Sequence, residues 1–156
     1  MEVDQDSAKI TFPPPLIALG LLLLGLALDR VLPWRLSLEG LWRYLCGGAL
    51  IVAGAALLLA AAGGFRKAGT DLKPWKTTSA IVSQGIYGWT RNPMYLGMVL
   101  VYLGLSLILA SLGALLLTPI LVLLFQTQVI AREERYLEAK FGEAYLDYKA
   151  RVRRWL

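Results

Sequence analysis

The sequence predicts an all-α integral membrane protein with about four transmembrane helices, the last two forming a hairpin, and an amphipathic C-terminal helix on the cytoplasmic face. Two observations lead to this fold class. Of the 156 residues, 57% are hydrophobic and 17% are charged, which is too apolar for an ordinary soluble domain. Residues 92–131 carry no charge over 40 positions. At 1.5 Å per residue this run makes about 60 Å of helix, twice the roughly 30 Å hydrocarbon core, so it must fold back on itself.

The first two spans are expected within residues 1–65. Proline is tolerated in the first turn of a helix, so Pro13-Pro14-Pro15 predicts the start of a helix that continues through the apolar run Leu16 to Leu28. A second span is expected from about Leu45 to Phe65. It is rich in glycine and alanine, and small residues let helix backbones approach closely in lipid, so we expect it to pack centrally.

A long polar insertion, residues 66–91, separates the second span from the uncharged run. Long connections inside compact domains are often functional. Within the uncharged run, Ser111-Leu112-Gly113 lies near the midpoint and is the expected tip of the hairpin. Pro119 then falls inside the returning helix, where proline can kink it.

The last 25 residues change character and are rich in charge. Apolar and aromatic residues recur at three- and four-residue spacings, which is typical of an amphipathic helix. These residues are Tyr136, Leu137, Phe141, Tyr145 and Tyr148. We expect this helix to break at Gly142 and to lie at the membrane surface.

Charge asymmetry predicts the orientation. Four spans place the N-terminus, residues 66–91 and the C-terminal segment on one side, with thirteen lysines and arginines against three in the opposite linker, residues 29–43. By the positive-inside rule the side with thirteen is cytoplasmic, so both termini are expected there.

Composition also limits the function. The net charge of +5 suggests nucleic acid, but the basic residues stand between apolar blocks, where they face anionic headgroups, so we expect no nucleic-acid partner. The chain has no histidine, the commonest metal ligand, and we expect no metal site. Cys46 is the only cysteine and is expected to act as a small hydrophobic residue.

The hairpin returns the C-terminal segment to the face that carries residues 66–91. We expect the two segments to build one pocket, open to the cytoplasm for a polar cofactor and to the lipid for an apolar substrate. Each of its ionisable residues alone reads more readily as an interfacial anchor. The convergence of two distant segments favours a site.

These segments carry a resemblance to a known family. The motif residues are Gly85-Ile86-Tyr87, Arg91-Asn92-Pro93-Met94-Tyr95-Leu96-Gly97, Glu133-Glu134, Phe141-Gly142, Tyr145, Tyr148 and Arg151-Val152. In this order they resemble the isoprenylcysteine carboxyl methyltransferases and their bacterial relatives, which also resemble phospholipid methyltransferases. The resemblance covers about residues 66–154, and the ordered set is much more specific than any single piece.

The resemblance implies a membrane helix bundle that binds S-adenosylmethionine at its cytoplasmic end, in the inner (plasma) membrane of a bacterium. It implies one membrane domain, residues 1–156, in which residues 1–65 form two anchoring spans and residues 66–156 the cofactor-binding catalytic region. The implied cofactor-binding residues are Ser79, Ala80, Ile81, Val82, Tyr87, Asn92, Pro93, Met94, Tyr95 and Glu133. The expected catalytic residues are Arg91, Arg132 and Glu134.

Two positions depart from the family's pattern. Asn92 stands where the family often has histidine, so an imidazole role is lost there. Val129 stands where the enzymes acting on prenylated cysteine resemble one another in an arginine that holds the substrate carboxylate. Arg132 is the expected substitute.

The expected reaction is direct methyl transfer to a lipophilic acceptor, either an isoprenylcysteine-like carboxylate or a phospholipid amine. A carboxylate needs no base, whereas an amine must first lose a proton, for which Glu134 is the nearest candidate. Two other functions remain open: an NADPH-dependent membrane reductase of the sterol-reductase type, and a non-catalytic membrane scaffold. Membrane lipids are the expected partners, and the sequence leaves the oligomeric state open.

Overall fold

The computed structural model describes residues 8, 10, 12–32, 40–69 and 78–156, and the elements of regular secondary structure among them are helices. The helices are α1 (Pro14–Val31), α2 (Leu41–Lys67), α3 (Pro93–Ile108), α4 (Leu112–Leu124), α5 (Ala131–Phe141) and α6 (Glu143–Arg151). A 3-10 turn, Gly85–Gly88, precedes α3, and a π-helical segment, Phe125–Ile130, joins α4 to α5. Residues 70–77 of the predicted polar insertion and residues 33–39 of the linker between the first two spans lie outside the described residues.

The prediction of an all-α integral membrane protein is confirmed. Three helical runs in the described part of the chain are long and apolar enough to cross a membrane: α1, α2 and the continuous run Leu112–Phe141. Helix α3 is apolar but shorter, with 16 residues. The proline triplet starts α1 as expected, with Pro13 at the N-cap position and Pro14 as the first helical residue.

Glycines bring α2 and α3 into close antiparallel contact. A Cβ added to Gly47 would lie 2.7 Å from the carbonyl oxygen of Gly104, and one added to Gly54 would lie 2.6 Å from that of Gly97. Each pair is seven residues, about two turns, from the other, so the two crossings lie on one helix face. The predicted role of the small residues in close packing is therefore borne out at Gly47 and Gly54.

The hairpin turns slightly earlier than its predicted tip. Helix α3 ends at Ile108, and Ala110 takes a left-handed conformation with a φ of 50°. Ser111 then caps α4 by accepting a hydrogen bond from the backbone N–H of Ala114. Asp29, at the end of α1, holds the same helix start: its Oδ1 atom accepts the backbone N–H of Gly113 at 2.8 Å. Helices α1 and α4 are thereby fastened at the end opposite the C-terminal segment.

The returning chain does not stop at α4. Pro119 lies inside α4, and the π-helical segment that follows buries Phe125, Val129 and Ile130 in the core. The chain then continues directly into α5. Gly142, with a φ of 52°, breaks the amphipathic C-terminal segment into α5 and α6 as predicted.

Candidate functional site

A cavity of about 270 Å³ lies where the start of α3, the 3-10 turn, α5 and α6 meet. The segment 78–82 and the N-terminal end of α1 complete its wall. Its lining residues are Ala8, Pro14, Pro15, Phe65, Thr78, Ala80, Ile81, Val82, Tyr87, Arg91, Asn92, Met94, Tyr95, Met98, Glu133, Glu134, Tyr136, Leu137, Tyr145 and Tyr148. Small-molecule sites span roughly 300–1,000 Å³, so this volume is close to the lower end of that range.

One polar pair in the cavity wall joins α3 to α5. The hydroxyl of Tyr95 donates a hydrogen bond to Oε1 of Glu133 at 2.7 Å. Tyr95 is buried, and its ring packs against that of Phe125 with a centroid distance of 5.5 Å. The phenol is held by apolar packing, so it can fix the direction of the carboxylate.

The adjacent carboxylate is held by two arginines. Glu134 is buried and accepts hydrogen bonds from Nη2 of Arg91 at 2.9 Å and from Nε of Arg154 at 3.1 Å, and it also pairs with Nη2 of Arg154. Nη1 of Arg91 donates to the carbonyl oxygens of Lys149 at 2.7 Å and of Val152 at 3.0 Å. The Nε atom of Arg91 is buried without an acceptor among the described residues.

Residues 152–156, which follow α6 and are called the C-terminal tail here, lie along the residues that precede α3. The backbone N–H of Arg91 donates to the carbonyl oxygen of Arg153 at 2.9 Å, and Thr90 and Arg153 form an isolated parallel bridge. The Nδ2 atom of Asn92 donates to the carbonyl oxygen of Arg154 at 2.9 Å. Asn92 is the N-cap residue of α3, and Pro93, which has no N–H, is its first residue.

Buried tyrosines connect α6 to the 3-10 turn. The hydroxyl of Tyr148 donates to the carbonyl oxygen of Tyr87 at 2.7 Å, and the ring of Tyr87 meets that of Phe65 edge to face. Burial raises the pKa of Tyr148 to about 12 and the pKa of Tyr87 further still. Both phenols are therefore protonated at neutral pH, and the Tyr148 hydroxyl acts as a hydrogen-bond donor.

Most of the sequence-predicted site residues line this cavity. Those that do are Ala80, Ile81, Val82, Tyr87, Arg91, Asn92, Met94, Tyr95, Glu133 and Glu134. Three others lie outside its lining. Ser79 is exposed and its hydroxyl donates to the carbonyl oxygen of Gly69, Pro93 is fully buried inside the start of α3, and Arg132 donates to Gln128 one turn earlier. The roles of all these residues stay predictions.

Sequence reasoning did not find Arg154 or the contribution of α1. Arg154 is one of three arginines among the last six residues, and no spacing distinguishes it, because its partner Glu134 lies on the other side of the helix break at Gly142. Pro14 and Pro15 line the cavity at the start of α1. The predicted topology places that end of α1 on the same face as the insertion. This placement could have indicated that α1 contributes to the cavity.

Comparison with known proteins places the chain in a family. The phospholipid methyltransferase family matches residues 42–144, well over half of the chain. The chain belongs to this family. That membership confirms the resemblance drawn from the motif residues between Gly85 and Val152.

Individual relatives of this phospholipid methyltransferase family member are similar over shorter lengths. An uncharacterized protein of Haemophilus influenzae is 48% identical over 63 residues, which are its whole length and 40% of this chain. The protein-S-isoprenylcysteine O-methyltransferase of Schizosaccharomyces pombe is 35% identical over 72 residues, 46% of this chain. The enzyme of the same name from Mus musculus is 35% identical over 75 residues, 48% of this chain. The chain spans 30% and 26% of the lengths of these two enzymes. No solved structure matches the chain significantly.

Proposed function

We propose that this protein transfers a methyl group from S-adenosylmethionine to a lipophilic acceptor in the membrane. Membership of the phospholipid methyltransferase family supports the reaction class. The cavity at one end of the helix bundle supports the location of the site, with residues 66–156 supplying most of its wall. When bound, S-adenosylmethionine supplies a methyl group on a positively charged sulfur.

The observation that carries the proposal is the Tyr95–Glu133 pair in the cavity wall. Glu133 accepts from the Tyr95 hydroxyl with one oxygen, and an ionised carboxylate has further lone pairs that can accept from ribose hydroxyls or face a cationic group. Ile81 and Val82 line the same cavity and offer apolar contact to a flat base. These residues fit the cofactor.

The chain's contribution to catalysis would be alignment and exclusion of water. Reacting atoms held in line at contact distance gain rate without a strong acid or base. Buried tyrosines at positions 87, 95, 145 and 148 line the cavity and would limit the access of bulk water to the reacting atoms.

Each class of acceptor lacks one expected partner. Glu134, the expected base for an amine, is held by two guanidinium groups, which stabilise its charged form and make it a weak proton acceptor. For a carboxylate, Val129 is fully buried in the core and Arg132 does not line the cavity. The two amino groups of Arg91 already bind protein acceptors. We therefore propose a lipophilic acceptor and leave both classes, carboxylate and amine, to the assay.

The reductase alternative is less well supported. The 2′-phosphate of NADPH is commonly held by lysine or arginine. Among the described lining residues, Arg91 is the only lysine or arginine, and its amino groups are engaged. This charge inventory favours S-adenosylmethionine.

We further propose that the cavity faces the cytoplasm, in the inner membrane of a bacterium, with both termini on that side. The support is the excess of lysine and arginine in residues 66–91 and in the C-terminal segment.

The test is incorporation of labelled methyl groups. Purified protein is incubated with labelled S-adenosylmethionine and a total bacterial lipid extract, with and without a prenylated cysteine peptide, and the labelled species are identified. The proposal expects label in one lipophilic species and little label with Glu133→Gln, while the exposed control Glu143→Gln labels like the wild type. Absence of label from every lipid and from the peptide contradicts the proposal.

A further inference from the structure

We propose that Glu134 and Arg154 are positioning residues, which close the C-terminal tail onto the start of α3 and thereby set Glu133 and Asn92 in the cavity. This inference rests on the proposed function of that cavity. We call the arrangement the C-terminal clasp and define it by the side chains of Arg91, Glu134 and Arg154 and by the bridge between Thr90 and Arg153.

The clasp joins three segments that are far apart in sequence. Arg91 reaches both Glu134 on α5 and the carbonyl oxygens of Lys149 and Val152 at the end of α6. Arg154 binds both oxygens of the same carboxylate, because its Nε atom donates to Oε1 at 3.1 Å and its Nη2 atom pairs with Oε2. A carboxylate bound by two guanidinium groups has little freedom, because such forked contacts fix direction as well as distance.

Holding Glu134 also fixes the rotation of α5. Glu133 and Glu134 are consecutive, so their side chains point about 100° apart around the helix. With Glu134 bound to the tail, Glu133 points to Tyr95 in the cavity wall and accepts its hydroxyl at 2.7 Å. Loss of the clasp lets α5 turn, and the Glu133 carboxylate then loses its defined position.

The tail also orients Asn92. One N–H of its amide is taken by the carbonyl oxygen of Arg154, and this contact assigns the direction of the amide. The Oδ1 atom and the second N–H remain for a ligand. Thr90 donates to the same carbonyl oxygen at 3.2 Å, so the position of residue 154 is coupled to two residues beside the cavity.

Arg154 itself is not part of the cavity lining. Its side chain is about one third exposed, and it contacts Glu134 rather than the cavity. Its replacement therefore substitutes none of the lining residues, so an effect on ligand binding must act through their positions rather than through a lost contact between Arg154 and the ligand.

The test compares Arg154→Ala with Arg154→Lys and with the control Arg135→Ala. Arg135 is an exposed arginine on α5, and among the described residues it donates to the carbonyl oxygen of Ala131 in its own helix. Full-length protein in detergent is titrated with S-adenosylhomocysteine by calorimetry, and hydrogen exchange is followed in the peptide that contains Arg91, whose N–H binds the tail. Melting temperatures are recorded for each variant.

The clasp predicts that Arg154→Ala raises the Kd for S-adenosylhomocysteine about tenfold, the loss that one well-made charged hydrogen bond brings. Exchange at Arg91 is expected to accelerate in the same variant. Arg154→Lys keeps the positive charge but loses the two-pronged contact of the guanidinium group with the carboxylate. Its Kd is expected to lie between those of the wild type and Arg154→Ala, about threefold weaker than the wild type. Arg135→Ala should stay within about twofold of the wild type, by the same conversion of free energy to affinity.

Wild-type affinity in a folded Arg154→Ala variant overturns the inference. If Arg154→Ala melts too low to titrate, the affinity of Arg154→Lys is measured instead. An Arg154→Lys variant with the melting temperature and the Kd of the wild type also overturns the inference. Absence of binding by the wild type contradicts the proposed function instead. In that case the exchange data judge the clasp: faster exchange at Arg91 in Arg154→Ala than in Arg135→Ala supports it, and equal exchange rejects it.

Discussion

The hydroxyl oxygen of Tyr95 on α3 and Oε1 of Glu133 on α5 lie 2.7 Å apart in the wall of the cavity. Thirty-eight residues and a complete helical hairpin separate the two in sequence. The hairpin is what brings them together, since α3 leads away from the cavity and the run from α4 to α5 returns to it. The helical hairpin therefore positions Tyr95 and Glu133 for this hydrogen bond.

Removal of the Tyr95 hydroxyl is expected to weaken binding of S-adenosylhomocysteine. Tyr95→Phe keeps the ring packing against Phe125 and deletes one hydrogen bond to a carboxylate, worth about 1.5–3 kcal/mol, or roughly 10- to 150-fold in Kd. Calorimetry in detergent measures the change. Tyr44→Phe, which alters an exposed tyrosine on α2, is the matched control, and an equal effect in both variants contradicts a role for the pair.

Enlargement of a glycine at the α2–α3 crossing is expected to destabilise the bundle. In Gly47→Ala the new methyl group would lie 2.7 Å from the carbonyl oxygen of Gly104, so the two backbones must separate, at a cost of about 1–3 kcal/mol. Gly48→Ala is the control, because a Cβ at Gly48 meets nothing within 4 Å. Thermal unfolding in detergent compares the two, and equal melting temperatures would show that the helices do not cross here.

Asp29 is expected to contribute to stability without affecting the cavity. Asp29→Ala removes the acceptor of the Gly113 N–H at the start of α4, and the loss of such a cap costs about 0.5–2 kcal/mol. The melting temperature should fall while the Kd for S-adenosylhomocysteine stays unchanged. Asp147→Ala, at an exposed position on α6, serves as control. A changed Kd in Asp29→Ala would mean that the two ends of the bundle are coupled.

Restoring an arginine at position 129 is not expected to create a carboxylate site. Val129 is fully buried in the π-helical segment, and a guanidinium placed there has no partner among its apolar neighbours. Val129→Arg should lower the yield of folded protein, as judged by size-exclusion chromatography in detergent. Thr127→Arg, at an exposed position of the same segment, should be tolerated. A folded Val129→Arg protein that gains activity on prenylcysteine substrates would show that this segment can rotate.

The sequence predicted the elements of the fold because lipid imposes simple rules on chain length and charge. The uncharged stretch from Asn92 to Ala131 had to turn back, and the turn was misplaced only by about two residues, since the polar Ser111 caps the new helix rather than forming the centre of the turn. Gly142 was recognised as a helix break because glycine tolerates the positive φ found there.

The sequence predicted that two distant segments meet to form the cavity. It did not predict which side chains in and beside the cavity bind one another. Adjacent glutamates gave no signal of which one would face Tyr95 and which one would be tied to arginines. That division depends on the rotation of α5, which follows from the π-helical segment and from the contact of Arg154 with Glu134. Neither feature has a recognisable spacing in the sequence.

Calorimetric titration of the wild-type protein with S-adenosylhomocysteine and NADPH, side by side in detergent, tests the proposed methyltransferase most directly. We expect saturable binding of S-adenosylhomocysteine, strongly weakened in Glu133→Ala and retained in Glu143→Ala, and no binding of NADPH. Binding of NADPH alone, or of neither compound, would contradict the assignment of this cavity to S-adenosylmethionine.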